Sequence, residues 1–109
     1  MQNVIAVGYS NGANIAASML LLRPEILSSA ILFRAIVTLV PKALPDLSNN
    51  HIFMSSGLYD PIVSEQEAEN LFSLFKKSGA DIALNWQESG HELTMKEIRI
   101  AKEWLISLP

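Results

Sequence analysis

The sequence contains no cysteine, which excludes disulfide bonds, thiolate metal sites and a cysteine nucleophile. It suits a reducing compartment, so cytoplasm is the expected location. Positive charge is also scarce. Eight Lys and Arg against 11 Asp and Glu leave a formal net charge of −3, so the electrostatic footprint of a nucleic-acid binder is missing and a small-molecule partner is expected instead. No phosphate-cradling glycine loop with lysine, dinucleotide fingerprint or Cys/His cluster occurs, and His91-Glu92 has no second histidine at helical spacing. Neither cofactor nor metal is therefore expected. Charge is absent altogether from Met1 to Leu22. That stretch has no basic leader region and is broken by Gly8-Tyr9-Ser10-Asn11-Gly12 and Asn14, so it reads as a buried strand followed by a buried helix, not as a membrane span.

What is present is an ordinary globular balance, 50% apolar and 17% charged over 109 residues, without low-complexity tract, repeat or linker. One domain, 1–109, is expected. Asn3 to Val7 is an apolar run ended by Gly8, right for a strand buried on both faces. Asn11 to Leu22 reads as a helix apolar around almost its whole circumference and hence largely buried, with Pro24 beyond its end. Ala30 to Ile36 is the next strand. Thr38 to Asn50, with Pro41 and Pro45, is a loop with room for one helical turn and the only place for a lid. Ile52 to Ser56 is a third strand ended by Gly57. Ser64 and Glu67 form a capping box opening a helix whose buried stripe is Ala68, Leu71, Phe72 and Phe75, with Gly79 as left-handed terminator. Alternation over Asp81 to Gln87 predicts a strand near a sheet edge. Thr94 and Glu97 open a last helix with Ile98, Ala101, Leu105 and Leu108 on one stripe. The order predicts an α/β fold: a parallel sheet of about four strands with flanking helices.

Gly8-Tyr9-Ser10-Asn11-Gly12 is a G-x-S-x-G pentapeptide between a strand and a helix, the context of a nucleophile elbow. So sharp a turn strains its central residue and presses its flanks on neighbouring backbone, which favours glycine at 8 and 12. The Asn11 N–H, at the helix start, is placed to stabilise an oxyanion. A serine nucleophile needs a base, and the base needs an acid. Of two histidines, His91 follows the last strand, at the carboxyl edge where parallel sheets gather their catalytic groups; His51 precedes the third strand, at the opposite edge. Asp60 follows the third strand at the carboxyl edge. Each residue alone has a structural explanation, Asp60 as a turn former before Pro61 and His91 as a solvated loop residue. Together, in the order Ser, Asp, His, they match the α/β-hydrolase pattern.

At these positions the sequence resembles the phospholipase/carboxylesterase group of α/β hydrolases, near the dienelactone hydrolases and acyl-protein thioesterases. Val4 to Asn14 is similar to their elbow, Gly57-Leu58-Tyr59-Asp60-Pro61-Ile62-Val63 to their acid loop, and Ser89-Gly90-His91-Glu92-Leu93 to their histidine loop. The resemblance implies a cofactor-free serine hydrolase of carboxylic esters working through an acyl-enzyme on Ser10. It also implies the C-terminal half of the fold: family members are about twice this long, and a glycine-rich loop ahead of the elbow supplies a further oxyanion donor. Topology agrees. With strands in sequential order, the crossover helices lie on one face, the last helix alone covers the other, and the first strand is left as an open edge. A separate N-terminal half or a second copy of the chain is expected to cover it. The alternative is a truncated, catalytically silent hydrolase-like module for assembly or binding.

Overall fold

Strand-length apolar runs separated by helix-length segments pair in parallel, because each crossover returns the chain to the same end of the sheet. A computed structural model describes residues 4–109. It has β1 (Ile5–Tyr9), α1 (Asn11–Leu22), β2 (Ser29–Phe33), β3 (His51–Gly57), α2 (Glu65–Lys77), β4 (Asp81–Gln87) and α3 (Met95–Ser107). The four strands lie in the order β1-β2-β3-β4, every neighbouring pair parallel. Asn3, which the apolar pattern assigns to the first strand, lies outside the described residues.

The main core forms where α1 and α2 cover one face of the sheet. Ala13, Ala17, Leu20, Leu32, Ile52, Met54, Leu71 and Phe75 are buried there. The smaller opposite cluster joins Ile31, Phe33 and Phe53 to Ala101 of α3, with Trp104 tilted against Phe53 at a ring separation of 5.6 Å. Every residue of β2 is buried. Both capping boxes form, at Ser64 with Glu67 and at Thr94 with Glu97, and Gly79 ends α2 at φ 90°.

Several expectations need correction. β1 is not buried on both faces. It is an edge strand alternating between exposed and half-buried residues, with Val7 66% exposed. α1 is half buried: Ala13, Ala16, Ala17, Leu20 and Leu21 face the core, while Ile15 and Leu22 are exposed. Thr38 borders that side, its hydroxyl 2.6 Å from that of Ser18. β2 stops at Phe33, short of Ile36, because Arg34 adopts φ 62°, a left-handed conformation incompatible with a continuing strand. Residues 38–50 contain no helix, only one hydrogen-bonded turn closed by the Asn50 N–H on the Leu47 carbonyl at 2.9 Å; Pro41 and Pro45 remove backbone donors and restrict the residues before them. This segment is anchored by buried Leu47 and by the Asn50 Nδ2–H bond to the Leu27 carbonyl, 2.6 Å. In α2, Leu74 is buried and Phe72 only partly so. The α3 stripe is rotated: Glu97 and Ala101 are buried, whereas Ile98 is exposed.

Candidate active site

The elbow is built from a strand end, a strained residue and a helix start. β1 ends at Tyr9, α1 begins at Asn11, and Ser10 between them takes φ 56° and ψ −117°, a conformation that costs of order 1–3 kcal/mol unless the surroundings hold it. They do so here through the Ser10 N–H bond to the Phe33 carbonyl, 2.8 Å. A Cβ on Gly8 would come within 2.6 Å of the Ala13 nitrogen and of Gly12 backbone, so glycine is required at position 8. Gly12 differs from expectation. A Cβ there would meet nothing within 4 Å, since it sits on the open side of the first turn of α1, and packing within the described residues does not demand glycine.

Asp60 lies in the turn after β3, its carboxylate withdrawn from solvent. One oxygen, Oδ1, accepts from the Ile62 and Val63 N–H groups at 2.7 and 3.0 Å; the other, Oδ2, lies 2.7 Å from His91 Nδ1. Burial alone would raise the Asp60 pKa. The bonds from Val63, His91 and Ile62 more than offset it and hold the carboxyl below its ordinary value. With Asp60 ionised, His91 donates from Nδ1 and leaves Nε2 free to accept. Ser10 Oγ stands 3.0 Å from that nitrogen.

His91 follows β4 at the far margin of the sheet, so its loop must arch back over the ends of β3 and β2 to reach Ser10. Gly57 makes room: a Cβ there would collide with the Gly90 and Ser89 carbonyls. Tyr59 N–H bonds to the Ser89 carbonyl at 3.0 Å, joining the acid loop to the histidine loop. Tyr9 donates to the His91 carbonyl at 3.0 Å, its ring 5.4 Å from the imidazole.

The structure thus brings Ser10, Asp60 and His91 together and puts Asn11 at the start of α1 beside them. His51 is remote in the fold, at the amino end of β3, bonded to Asp81 at 2.9 Å. The sequence does not single out Arg34, and it shows Glu97 only as the cap of the last helix. Arg34 and Glu97, both buried, pair at 2.6 and 2.8 Å beneath the histidine loop. A lone arginine inside the apolar run Ala30 to Val40 was the available signal. Among the described residues no group of three or more His, Cys, Asp or Glu side chains is placed to hold a metal ion, and no helix is long and apolar enough to cross a membrane.

No protein-family model matches the chain. MhqD of Bacillus subtilis (strain 168), named provisionally as a hydrolase, is 45% identical over 101 residues, which cover 93% of this chain and 50% of MhqD. The crystal structure of the Bacillus cereus carboxylesterase superposes with a TM-score of 0.91 at 41% identity, over 94% of this chain and 48% of the esterase. A carboxylesterase from Mesorhizobium loti gives 0.85 at 28% identity, over 95% and 49%. The chain spans about half the length of each of these relatives. The chain has the fold of about half of an α/β hydrolase and is similar in sequence and structure to the carboxylesterases of that fold.

Proposed function

We propose that this chain carries the catalytic triad of a serine hydrolase of carboxylic esters, with Ser10 as nucleophile, His91 as general base and Asp60 as the acid that orients it. The observation that carries this reading is the unbroken relay from Asp60 Oδ2 to His91 Nδ1 at 2.7 Å and from His91 Nε2 to Ser10 Oγ at 3.0 Å, with the serine held at φ 56°. His91 takes the Ser10 proton as Oγ attacks the ester carbonyl. Asp60 stabilises the resulting imidazolium, and the Asn11 N–H faces the oxyanion. The imidazolium returns its proton to the departing alcohol, leaving an acyl group on Ser10. Water then enters, His91 deprotonates it as it attacks the acyl carbon, and the imidazolium returns that proton to Ser10 Oγ as the bond to the acyl group breaks and the acid is released. No step draws on a cofactor.

The anchored 38–50 segment leaves little material for a lid, which favours small, soluble esters over bulk lipid. An open groove of about 660 Å³ runs along α1 from Asn11 to Arg23, with Thr38 on its other wall. In the working molecule this exposed side of α1 and the β1 edge are covered, either by polypeptide equivalent to the rest of the relatives or by a second copy of the chain.

Covalent labelling by a fluorophosphonate, followed by intact mass, tests the proposal. Stoichiometric labelling of the wild-type chain that disappears in Ser10→Ala is expected. Folded wild-type protein that takes up no label and hydrolyses no ester would favour a silent hydrolase-like module for assembly or binding.

A further inference from the structure

The histidine loop has no backbone ladder of its own between β4 and α3, yet its carbonyls are held one after another by side chains from the opposite half of the sheet. The Gly90 carbonyl accepts from Arg34 Nε at 3.1 Å, that of His91 from Tyr9 at 3.0 Å, and that of Glu92 from Arg34 Nη2 at 2.8 Å. Arg34 therefore grips the loop on both sides of the histidine. Its other N–H groups reach Ser89 Oγ at 3.2 Å and the Ser55 carbonyl at 3.3 Å, and the fork closes on both Glu97 oxygens. Glu97 in turn accepts from Ser55 Oγ at 2.6 Å and caps α3 through the Thr94 N–H at 2.8 Å. The arginine side chain is wholly buried.

Two features separate this arrangement from an ordinary buried ion pair. Arg34 occupies φ 62°, a conformation usual for glycine or asparagine and rare for a long side chain, so the backbone bends to aim the guanidinium under the loop. Moreover, the charge is matched by Glu97, and Asp60 Oδ2 lies only 3.9 Å from Arg34 Nε without a hydrogen bond. The pull on the acid is thus secondary to the grip on the base. We propose that Arg34 is a positioning residue: its planar fork, neutralised by Glu97, fixes the loop that presents His91 to both Ser10 and Asp60. A lysine cannot substitute, because one ammonium offers three donors from a single point, whereas the guanidinium spreads five over a rigid plane.

The inference rests on the esterase reading for its kinetic consequence but not for its structural one, and the test separates the two. The structural readout is the low-field proton NMR resonance of the His91 Nδ1–H bonded to Asp60, which needs no substrate. The kinetic readouts are kcat and KM for a soluble activated ester. Arg34→Lys keeps a cation opposite Glu97 so that the chain can fold. The double variant Arg34→Met with Glu97→Gln removes both charges while leaving an amide to cap α3, since replacing a buried pair by neutral groups is commonly tolerated. In both variants kcat is expected to fall about 10²-fold with KM within about twofold, as for misplacement of a catalytic group by about 1 Å, and the low-field resonance is expected to broaden or vanish. Folded variants that keep both kcat and the resonance overturn the proposal. A wild-type chain that shows the resonance yet hydrolyses nothing sinks the reading of this chain as an esterase by itself and leaves the positioning role standing. Should neither variant fold, the wild-type Arg34 Nε–H decides: slow exchange with solvent supports the grip on Gly90, and free exchange refutes it.

Discussion

Asp60 and Glu97 are both acidic, both buried at the side chain and both held ionised, but for different ends. Asp60 faces the histidine. Replacing it with asparagine preserves shape while letting the imidazole adopt the wrong tautomer, so Asp60→Asn is expected to lower kcat by about 10⁴-fold, and, because the carboxyl is held below its ordinary value in the fold, to lower Tm at neutral pH as well. Glu97 faces the arginine, and its loss is chiefly a matter of stability. Burial raises its pKa, but bonds from Arg34, Ser55 and Thr94 outweigh that effect and leave it lowered. A carboxyl depressed by folding stabilises the protein above its unfolded pKa, and that contribution is lost as pH falls from the ordinary glutamate range through the lowered folded value. Thermal denaturation between neutral and acid pH should show this slope, and Glu97→Gln should flatten it while lowering stability at neutral pH. Ser10, Asp60 and His91, the residues of the proposed triad, stood out in the sequence because each sits in a short motif just after a strand. Arg34 and its pairing with Glu97 did not, since the two lie 63 positions apart and the sequence shows Glu97 only as a helix cap.

At the scale of elements, capping and periodicity carried most of the information. The Ser64 and Thr94 boxes set the starts of α2 and α3 where expected, because an N-cap is a local hydrogen-bond problem with a local solution. Removing the Thr94 hydroxyl by Thr94→Ala should cost about 1 kcal/mol in chemical denaturation, without loss of the Glu97 ion pair. What the pattern missed has a common cause. An apolar stripe shows that a face can be buried, not what lies opposite it. Hence α3 rotates to place Glu97 inward against Arg34, leaving Ile98 outside. Likewise β2 ends early, for a purpose that its apolar residues do not reveal. Gly57 belongs at this scale too. Gly57→Ala should push the histidine loop off the end of β3, reducing Ser10 labelling and costing about 1–3 kcal/mol from overpacking, both measurable on the same sample.

For the molecule as a whole, the sheet is asymmetric in its finish. β2 and β3 are enclosed, while β1 leaves Ile5, Val7 and Tyr9 exposed at an open margin, on the face of the sheet opposite α1, and Ile15, Met19 and Leu22 are exposed on the outer side of α1. Unpaired, apolar edges invite strand addition. Sedimentation velocity of the purified chain is therefore expected to show self-association that Val7→Lys reduces, because a lysine there leaves the strand intact while penalising an apolar neighbour. The sequence foretold this edge through topology alone: a strand apolar throughout, first in a sequential sheet, has one side with no partner among the later strands.

Ser10 and His91 stand on opposite margins of the four-stranded sheet, 81 positions apart in the chain, and meet at 3.0 Å. A slip of one residue in any of the three pairings between them displaces one partner by about 3.3 Å, the rise of a strand, and pulls the two atoms out of reach. The hydroxyl and imidazole therefore act as a vernier for the sheet. On the proposed reading a chain reacts at Ser10 only when all four strands are in register and the histidine loop is in place, so that a reactive probe doubles as a folding assay whose signal tracks tertiary order even when the content of helix and strand is unchanged.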